Sequence, residues 1–287
     1  MGAAAAGAAA RARRRVSRLT VLTRVELVAA PGPGGGARLT TNRAEGILNA
    51  RRTGPAEVHL VGTGAGPLGG DAVEVDVVVE RGARLSLRGV AATLSMPDRS
   101  GRPARLDLRL RVAEGGHLDV ALEPLVAVRG SDLHAVTTVD VEQGGALDLT
   151  EVVVLGRWRE APGRWRGTLR ADLAGAPWLR QSVALGPGAP SWDALDAPRV
   201  LVSRLRSPAA LAALAAPVGP SGPATTTGPA GRTAGCAAAL PLSGGGELAQ
   251  ALGPDLLAAR RDLAALDGSG SGTARFRSTE TRGTLTG

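Results

Sequence analysis

Gly64, Gly66 and Gly69 in "GAGPLGGDAVEVDVVV" (64–79) have the spacing of a loop that cradles the pyrophosphate of NAD or FAD. A short strand-like stretch, "EVHLV" (57–61), precedes them. Such a loop must open a helix, because helix N-terminal N–H groups and the helix dipole hold the phosphates. Here Val73, Val75, Val77 and Val79 instead alternate with Glu74, Asp76 and Glu80, broken only by Val78. That is a period of two with β-branched residues, the pattern of a strand. The acidic residue expected about 20 positions on for the ribose is also missing, since 84–97 contain no Asp or Glu. The glycines therefore read as a turn between strands.

Other reactive side chains are scarce. His59, His117 and His134 fall on separate strands or turns, without the i, i+4 or H-x-H spacing of a metal pair. His117 is expected exposed in a turn, and His134, near Asp132, is an interface candidate. Cys236 is the only cysteine, which excludes a disulfide framework and a cysteine metal cluster. The serine of "GAPSWDAL" (188–195) has nothing beside it to activate it, so catalysis has no support. Two carboxylates stand out by strand parity. Asp71 shares the parity of Val73, Val75 and Val77, and Glu151 that of Leu147, Leu149, Val153 and Leu155, so both should point inward. Buried carboxylates are seldom seen unless paired or functional. The plain alternatives are that Asp71 closes a turn on backbone N–H groups and that Glu151 pairs with an arginine. Glu123 has the opposite parity to Leu118, Val120 and Leu122 and faces away unless Pro124 marks a bulge.

The elements that position these groups are β-rich. Three stretches share one layout: "VEVDVVVERGARLSL" (73–87), "LDLRLRVAEGGHLDV" (106–120) and "VTTVDVEQGGALDLT" (136–150). Aligning Gly82, Gly115 and Gly144 superposes Val79, Val112 and Val141, and also Leu85, Leu118 and Leu147, at spacings of 33 and 29 residues. Recurrence near that period predicts units that stack and share one apolar face. Weaker copies precede them at "GARL" (36–39) and follow at "LRADLAGAPWLRQSVAL" (169–185). The fold class is thus mainly β, layered and solenoid-like, with stacked β-hairpin repeats and a small helical C-terminal part. Residues 1–18 read as a disordered basic leader, 19–190 as the all-β repeat domain, and 191–266 as a mixed region. Within the latter, 208–219 and 254–266 are helix patterns, the second with proline at its first position, and 220–235 a flexible loop. Residues 267–287 read as a disordered tail.

With 44% apolar but only 2% aromatic residues, the core must be Val, Leu and Ala. The net charge of +8 raises nucleic-acid binding, but five of those charges lie within residues 1–26. The chain has no lysine and few of the aromatic platforms that single strands need. The leader's arginines follow its small-residue run instead of preceding an apolar core, unlike a signal peptide, and no stretch has the ~18 apolar residues of a membrane span. A cytoplasmic protein binding neither membrane nor nucleic acid is expected.

The repeats also carry a resemblance. "GPLGGD" (66–71), "LEP" (122–124) and "EVVVLGR" (151–157) stand in order where the urease accessory protein UreD (UreH) family has its glycine-glycine-aspartate, Pro-Gln/Glu-acidic and acidic-x-x-x-Leu-Gly-Arg motifs. The chain resembles that family, its high-GC actinobacterial branch above all, over about 39–206. The resemblance implies a non-enzymatic scaffold of stacked sheets that binds apo-urease with a UreF partner and the UreG GTPase. Its role would be to assist nickel delivery, with no stably bound cofactor and Ni2+ only in transit. Nickel takes oxygen and nitrogen donors, and carboxylates hold it more loosely than a cysteine site. Asp71, Glu151 and Glu123 are then candidates for a nickel path or an interface, joined by Gln181, which occupies a place where the family often has an acid; a solvated strand residue is its plain alternative. Thr93 and Leu94 stand where Ser and Lys are frequent, so no role of that lysine carries over. A β-solenoid module binding a protein or glycan, with no metal role, is the alternative. Because a strand pattern follows the glycines, calorimetry should detect no micromolar binding of NAD or FAD; either affinity would overturn this reading.

Overall fold

The computed structural model describes residues 20–215 and 236–267; the expected leader, the 220–235 loop and the tail beyond Asp267 lie outside them. The described residues form β1 (Leu22–Pro31), β2 (Ala37–Glu45), β3 (Leu48–Gly54), β4 (Glu57–Gly62), β5 (Ala72–Val79), β6 (Arg84–Gly89), β7 (Thr93–Ser95), β8 (Ala104–Val112) and β9 (His117–Ala121). They continue with β10 (Leu125–Ala127), β11 (Asp132–Val141), β12 (Ala146–Leu155), β13 (Arg164–Leu173), β14 (Ala176–Leu185) and α1 (Pro190–Ala194). Last come β15 (Val200–Arg206), α2 (Pro208–Ala215), β16 (Cys236–Pro241), β17 (Glu247–Gly253) and α3 (Leu256–Asp267). The glycines of 64–70 lead into β5, a strand.

Two sheets face each other. One runs β14-β13-β11-β8-β5-β1-β2, the other β16-β17-β15-β12-β9-β6-β4-β3, with β10 joining β12 to β7. The three repeats are the pairs β5–β6, β8–β9 and β11–β12. Within each repeat the two arms enter opposite sheets and do not pair with each other as hairpin strands. Each arm instead pairs in parallel with the same arm of the next repeat, so every repeat is an arch and the arches stack. The aligned positions are register partners: Val79↔Val112↔Val141 in the first sheet, Leu85↔Leu118↔Leu147 in the second.

The bend of each arch explains its glycines. Gly82, Gly115 and Gly144 have φ of 70°, 65° and 76°, the left-handed region that favours glycine. Each bend is closed by an i to i+3 hydrogen bond, as in Ala83 N–H to Glu80 O (3.0 Å) and Gly116 N–H to Ala113 O (2.8 Å). The bends also bond to one another. Ala113 N–H donates to Val79 O and Glu142 N–H to Val112 O, both at 2.9 Å, so each arch satisfies backbone groups at the bend of its neighbour.

The weaker flanking copies differ from the three arches. β1 pairs in parallel with β5, but β2 returns antiparallel along β1 in the same sheet. Likewise β13 stacks in parallel on β11 and then β14 returns antiparallel along it, through a turn at Ala174 and Gly175 with φ of 52° and 78°. Both flanking copies are therefore hairpins within one sheet. At β13–β14 two adjacent residues with positive φ bend the chain tightly enough to pair it with itself, and at β1–β2 a short turn through Gly34, φ 64°, does so, whereas an arch crosses to the facing sheet.

Alternation fills the space between the sheets. β5 reads half-buried, buried throughout its length, with Val73, Val75, Val77 and Val79 inside. Its Glu74 and Asp76 face outward, where Arg24 and Arg109 meet them. The core is aliphatic, with Leu85, Leu87, Leu118, Leu147 and Leu149 fully enclosed. β15, β17 and β16 extend the second sheet antiparallel beyond β12. α3 covers that edge with Ala258, Ala259 and Leu263, and Asp267 ties it to Arg204 and Arg206. Its N-cap is Asp255, whose carboxylate accepts the Ala258 N–H at 2.8 Å, so Pro254 lies before the cap and not at the first helical position.

Leu118 sits at the centre of the stack with no exposed surface, whereas Leu257 on α3 is 70% exposed. Leu118→Ala should cost about 2–5 kcal/mol in chemical denaturation, and Leu257→Ala no more than about 0.5 kcal/mol. Equal losses would contradict the stacked-arch core.

Candidate functional site

The inward acids end in different surroundings. Asp71 is buried just ahead of β5, and both carboxylate oxygens are engaged: Oδ1 accepts the Val21 N–H and Oδ2 the Leu68 N–H, each at 3.0 Å. It thus holds the entry of β1 against the glycine turn. Glu123 is exposed, as its parity requires, and its backbone packs against Gly89, where a Cβ would come within 2.7 Å of Glu123 N.

Glu151 lies inside. Among the described residues no basic nitrogen comes within ion-pair distance of it, so the alternative of an arginine partner finds none here. Its one side-chain bond is to Thr137, whose hydroxyl donates to Oε1 at 2.6 Å across the gap between the sheets. Loss of hydration pushes the Glu151 carboxyl above the usual glutamate range, and the Thr137 hydrogen bond offsets this only in part.

Gln181 also points inward and joins the same layer. It exchanges hydrogen bonds with Gln250 on the opposite sheet, at 2.9 and 3.1 Å, and Gln250 reaches Ser203 at 3.1 Å. Register explains why these residues meet. Thr137, Leu169 and Gln181 are neighbours in one row across β11, β13 and β14. Glu151, Ser203 and Gln250 form the row across β12, β15 and β17. The rows face each other, bonded at both ends, with Leu169 between. Of these polar residues, strand parity singled out Glu151. Thr137, Ser203 and Gln250 carry the same signal, each a polar residue at an inward position between apolar ones, but they become one site only when the sheets face.

Two cavities meet at this layer. A small one of about 40 Å3 is lined by the two rows together with Trp165 and Gly167. At roughly 10–15 Å3 per water it holds a few solvent-sized groups. The Trp165 ring lies against Gly167, where a Cβ would come within 2.2 Å of it, so a glycine is required beneath the indole. A larger cavity of about 190 Å3 has mainly aliphatic walls from both sheets, with Glu123, Thr150 and Glu151 among its polar groups. Glu151 and Leu125 line both. An uncompensated carboxyl thus stands at the junction of two interior spaces.

The histidines stay apart. His59 bonds Thr53 on β3 at 2.7 Å, His134 sits 3.4 Å from Asp132, and His117 opens β9 half-buried instead of lying exposed in a turn. No group of three or more His, Cys, Asp or Glu able to hold a metal occurs among the described residues. The site can offer a passing cation single oxygen donors, not a closed shell.

Comparison with known proteins bears on this geometry. The family model described as UreD urease accessory protein matches residues 22–269. A protein of Frankia alni named urease accessory protein UreD is 34% identical over 300 residues, covering 90% of this chain and 96% of its own. Those of the same name from Streptomyces avermitilis and Streptomyces coelicolor are 40% and 39% identical, each covering 82% of this chain and 92% of its own. The matched span takes in both sheets, the facing polar rows and α3, and with it the chain belongs to the UreD family of urease accessory proteins.

Proposed function

We propose that this chain is a non-catalytic scaffold that binds apo-urease together with UreF-like and UreG-like (GTPase) accessory proteins and assists nickel insertion into the urease active site. The observation that carries the metal part is Glu151: one carboxyl without an ionic partner, at the junction of two cavities between the sheets. Family membership supports the accessory role. The same reading assigns the protein to the cytoplasm with its client, without nucleic acid or membrane.

Nickel is cargo here. A desolvated carboxyl can exchange its proton, released to solvent, for a divalent cation that neutralises the carboxylate, and a site short of a full shell releases that cation again. The free oxygen of Glu151 is the main donor, and the Gln181 and Gln250 amide oxygens and the Thr137 and Ser203 hydroxyls are neutral neighbours. Glu123, exposed at the edge of the larger cavity, is the surface position of that route. Asp71 serves by fixing the β1 entry, since backbone N–H groups already occupy both its oxygens.

Glu151→Gln keeps an oxygen for the Thr137 hydroxyl and removes the charge. Co-produced with urease and its accessory proteins, this variant and Glu151→Ala should lower the nickel content of urease several-fold while partner pull-down is unchanged. Normal nickel loading in both would end the transit role. Stability should respond to pH with a definite sign. The raised carboxyl keeps a proton in the folded state that the unfolded chain releases, so wild-type stability falls as pH climbs from the ordinary glutamate range through the raised value. Glu151→Gln lacks that loss. Its melting temperature should gain on wild type as pH rises from the ordinary glutamate range; a gap independent of pH would contradict an acid kept protonated by burial.

A further inference from the structure

The four tryptophans are placed unequally. Trp165 and Trp178 are buried and the Trp192 indole donates to Pro198 O, but Trp158 is 88% exposed. A loose loop does not account for this. Residues 156–163, which cross from β12 to β13, are pinned at both ends: Gly156 N–H and Gly163 N–H donate to the same carbonyl, Ala127 O, at 2.6 and 3.1 Å. Inside the loop the Arg157 guanidinium makes two bonds of 3.0 Å to the Glu160 carboxylate, which also accepts the Arg157 backbone N–H at 2.9 Å. Hydrogen bonding to Arg157 holds that carboxyl down at about 2, so the clamp persists through mildly acidic and neutral pH. From a separate segment, Arg199 donates to Glu160 O at 2.7 Å.

This clamp presents a set of groups outward. Arg159 adopts a left-handed backbone, φ 58°, and its guanidinium stands 5.7 Å from the centre of the Trp158 ring. Asp196 and Ala197, in the segment that carries Arg199, are left-handed too, at 59° and 47°. Such backbone is costly for residues other than glycine and gathers at binding sites. Glu160 neutralises Arg157, and the Arg199 guanidinium is turned onto the Arg157 and Glu160 carbonyls, whereas Arg159 has no carboxylate in ion-pair distance among the described residues; Asp193 and Asp196, on the segment that carries Arg199, are exposed acids.

We propose that Trp158 and Arg159 anchor a docking surface for one folded protein partner, which offers an apolar notch with a carboxylate beside it. Tryptophan and arginine dominate interface hot spots, and a loop whose backbone is already held in place loses little freedom on binding. The Arg159 guanidinium beside the indole, without an ion pair among the described residues, calls for a carboxylate opposite it. A single indole, with its own arginine over the ring, is not the run of stacking platforms that single-stranded nucleic acid requires. The inference rests on the scaffold reading above and adds to it the surface used and the chemistry of the partner.

The test titrates the full chain calorimetrically with purified apo-urease, UreF-like protein and UreG-like protein from an actinobacterial urease system, and with a single-stranded oligonucleotide. At least one of the proteins should bind wild type. Trp158→Ala should weaken that binding tenfold or more, and Arg159→Glu should do so at low salt with a smaller effect at high salt. Leu257→Ser, which alters another exposed apolar side chain, should leave binding unchanged, and all three variants should melt as wild type does. Undiminished binding in both loop variants would overturn the docking surface and leave the scaffold reading standing. No binding of any protein to wild type would remove both. An oligonucleotide held by wild type and lost in Trp158→Ala would replace the protein partner with nucleic acid.

Discussion

Backbone hydrogen bonding between successive arches, in parallel and in register, is the interaction on which the rest of this structure depends. An arch alone has no partner for its backbone, because its two arms lie in different sheets. The neighbour supplies the bonds along both arms and across the bend, as Ala113 does to Val79 and Glu142 to Val112. Side chains follow from that register. Val79, Val112 and Val141 form one row, and Leu85, Leu118 and Leu147 the row in the facing sheet. Rows of equal-sized aliphatic residues keep two sheets at a constant spacing of about 10 Å, which explains how a chain with 2% aromatics builds a continuous core. The hairpins β1–β2 and β13–β14 end the stacked run in the first sheet.

The same register makes the polar layer possible. In-register stacking puts Thr137, Leu169 and Gln181 in line on one sheet and Glu151, Ser203 and Gln250 in line on the other. The reciprocal Gln181–Gln250 pair and the Thr137–Glu151 bond satisfy most of these groups across the gap. A buried polar group that finds its partner in a single alignment also specifies that alignment, since a shift by one residue would leave it unsatisfied. Small side chains here, with Gly167 beneath the Trp165 ring, leave the space that apolar residues fill elsewhere. Glu151 is the exception within the layer, a carboxyl with one neutral partner and no charge to balance it.

Interior and surface rest on different physics. Inside, burial raises the protonation range of an acid whose side chain has one neutral hydrogen-bond partner. On the 156–163 loop, Arg157 lowers that of Glu160 and turns it into a fixed brace for an exposed indole. Both belong to one stretch of chain, since β12 carries Glu151 inside the sandwich and runs directly into the loop that carries Trp158.

Local rules were enough for much of this fold. Period-two alternation announced β5 and excluded a helix after the glycines, and the glycine alignment of 82, 115 and 144 reproduced the register of both sheets, because stacking requires like residues at like positions. Parity also turned Glu151 inward and Glu123 outward. What the sequence could not decide was which strands pair. Arch and hairpin share one pattern of strand, glycine turn and strand; whether the arms cross between sheets or return in one depends on the neighbours that accept their backbone groups. For that reason the flanking copies, expected as further repeats, became hairpins. The same holds for the site. Gln250 lies 69 residues from Gln181, and Ser203 lies 52 from Glu151; facing sheets alone bring them together. Asp71 was legible as buried, but its two backbone donors come from the entry of β1, some 50 residues away, and from its own turn. The exposure of Trp158 could not be read from the sequence, since it follows from a loop pinned by Arg157, Glu160 and Arg199, the last 39 residues from Glu160.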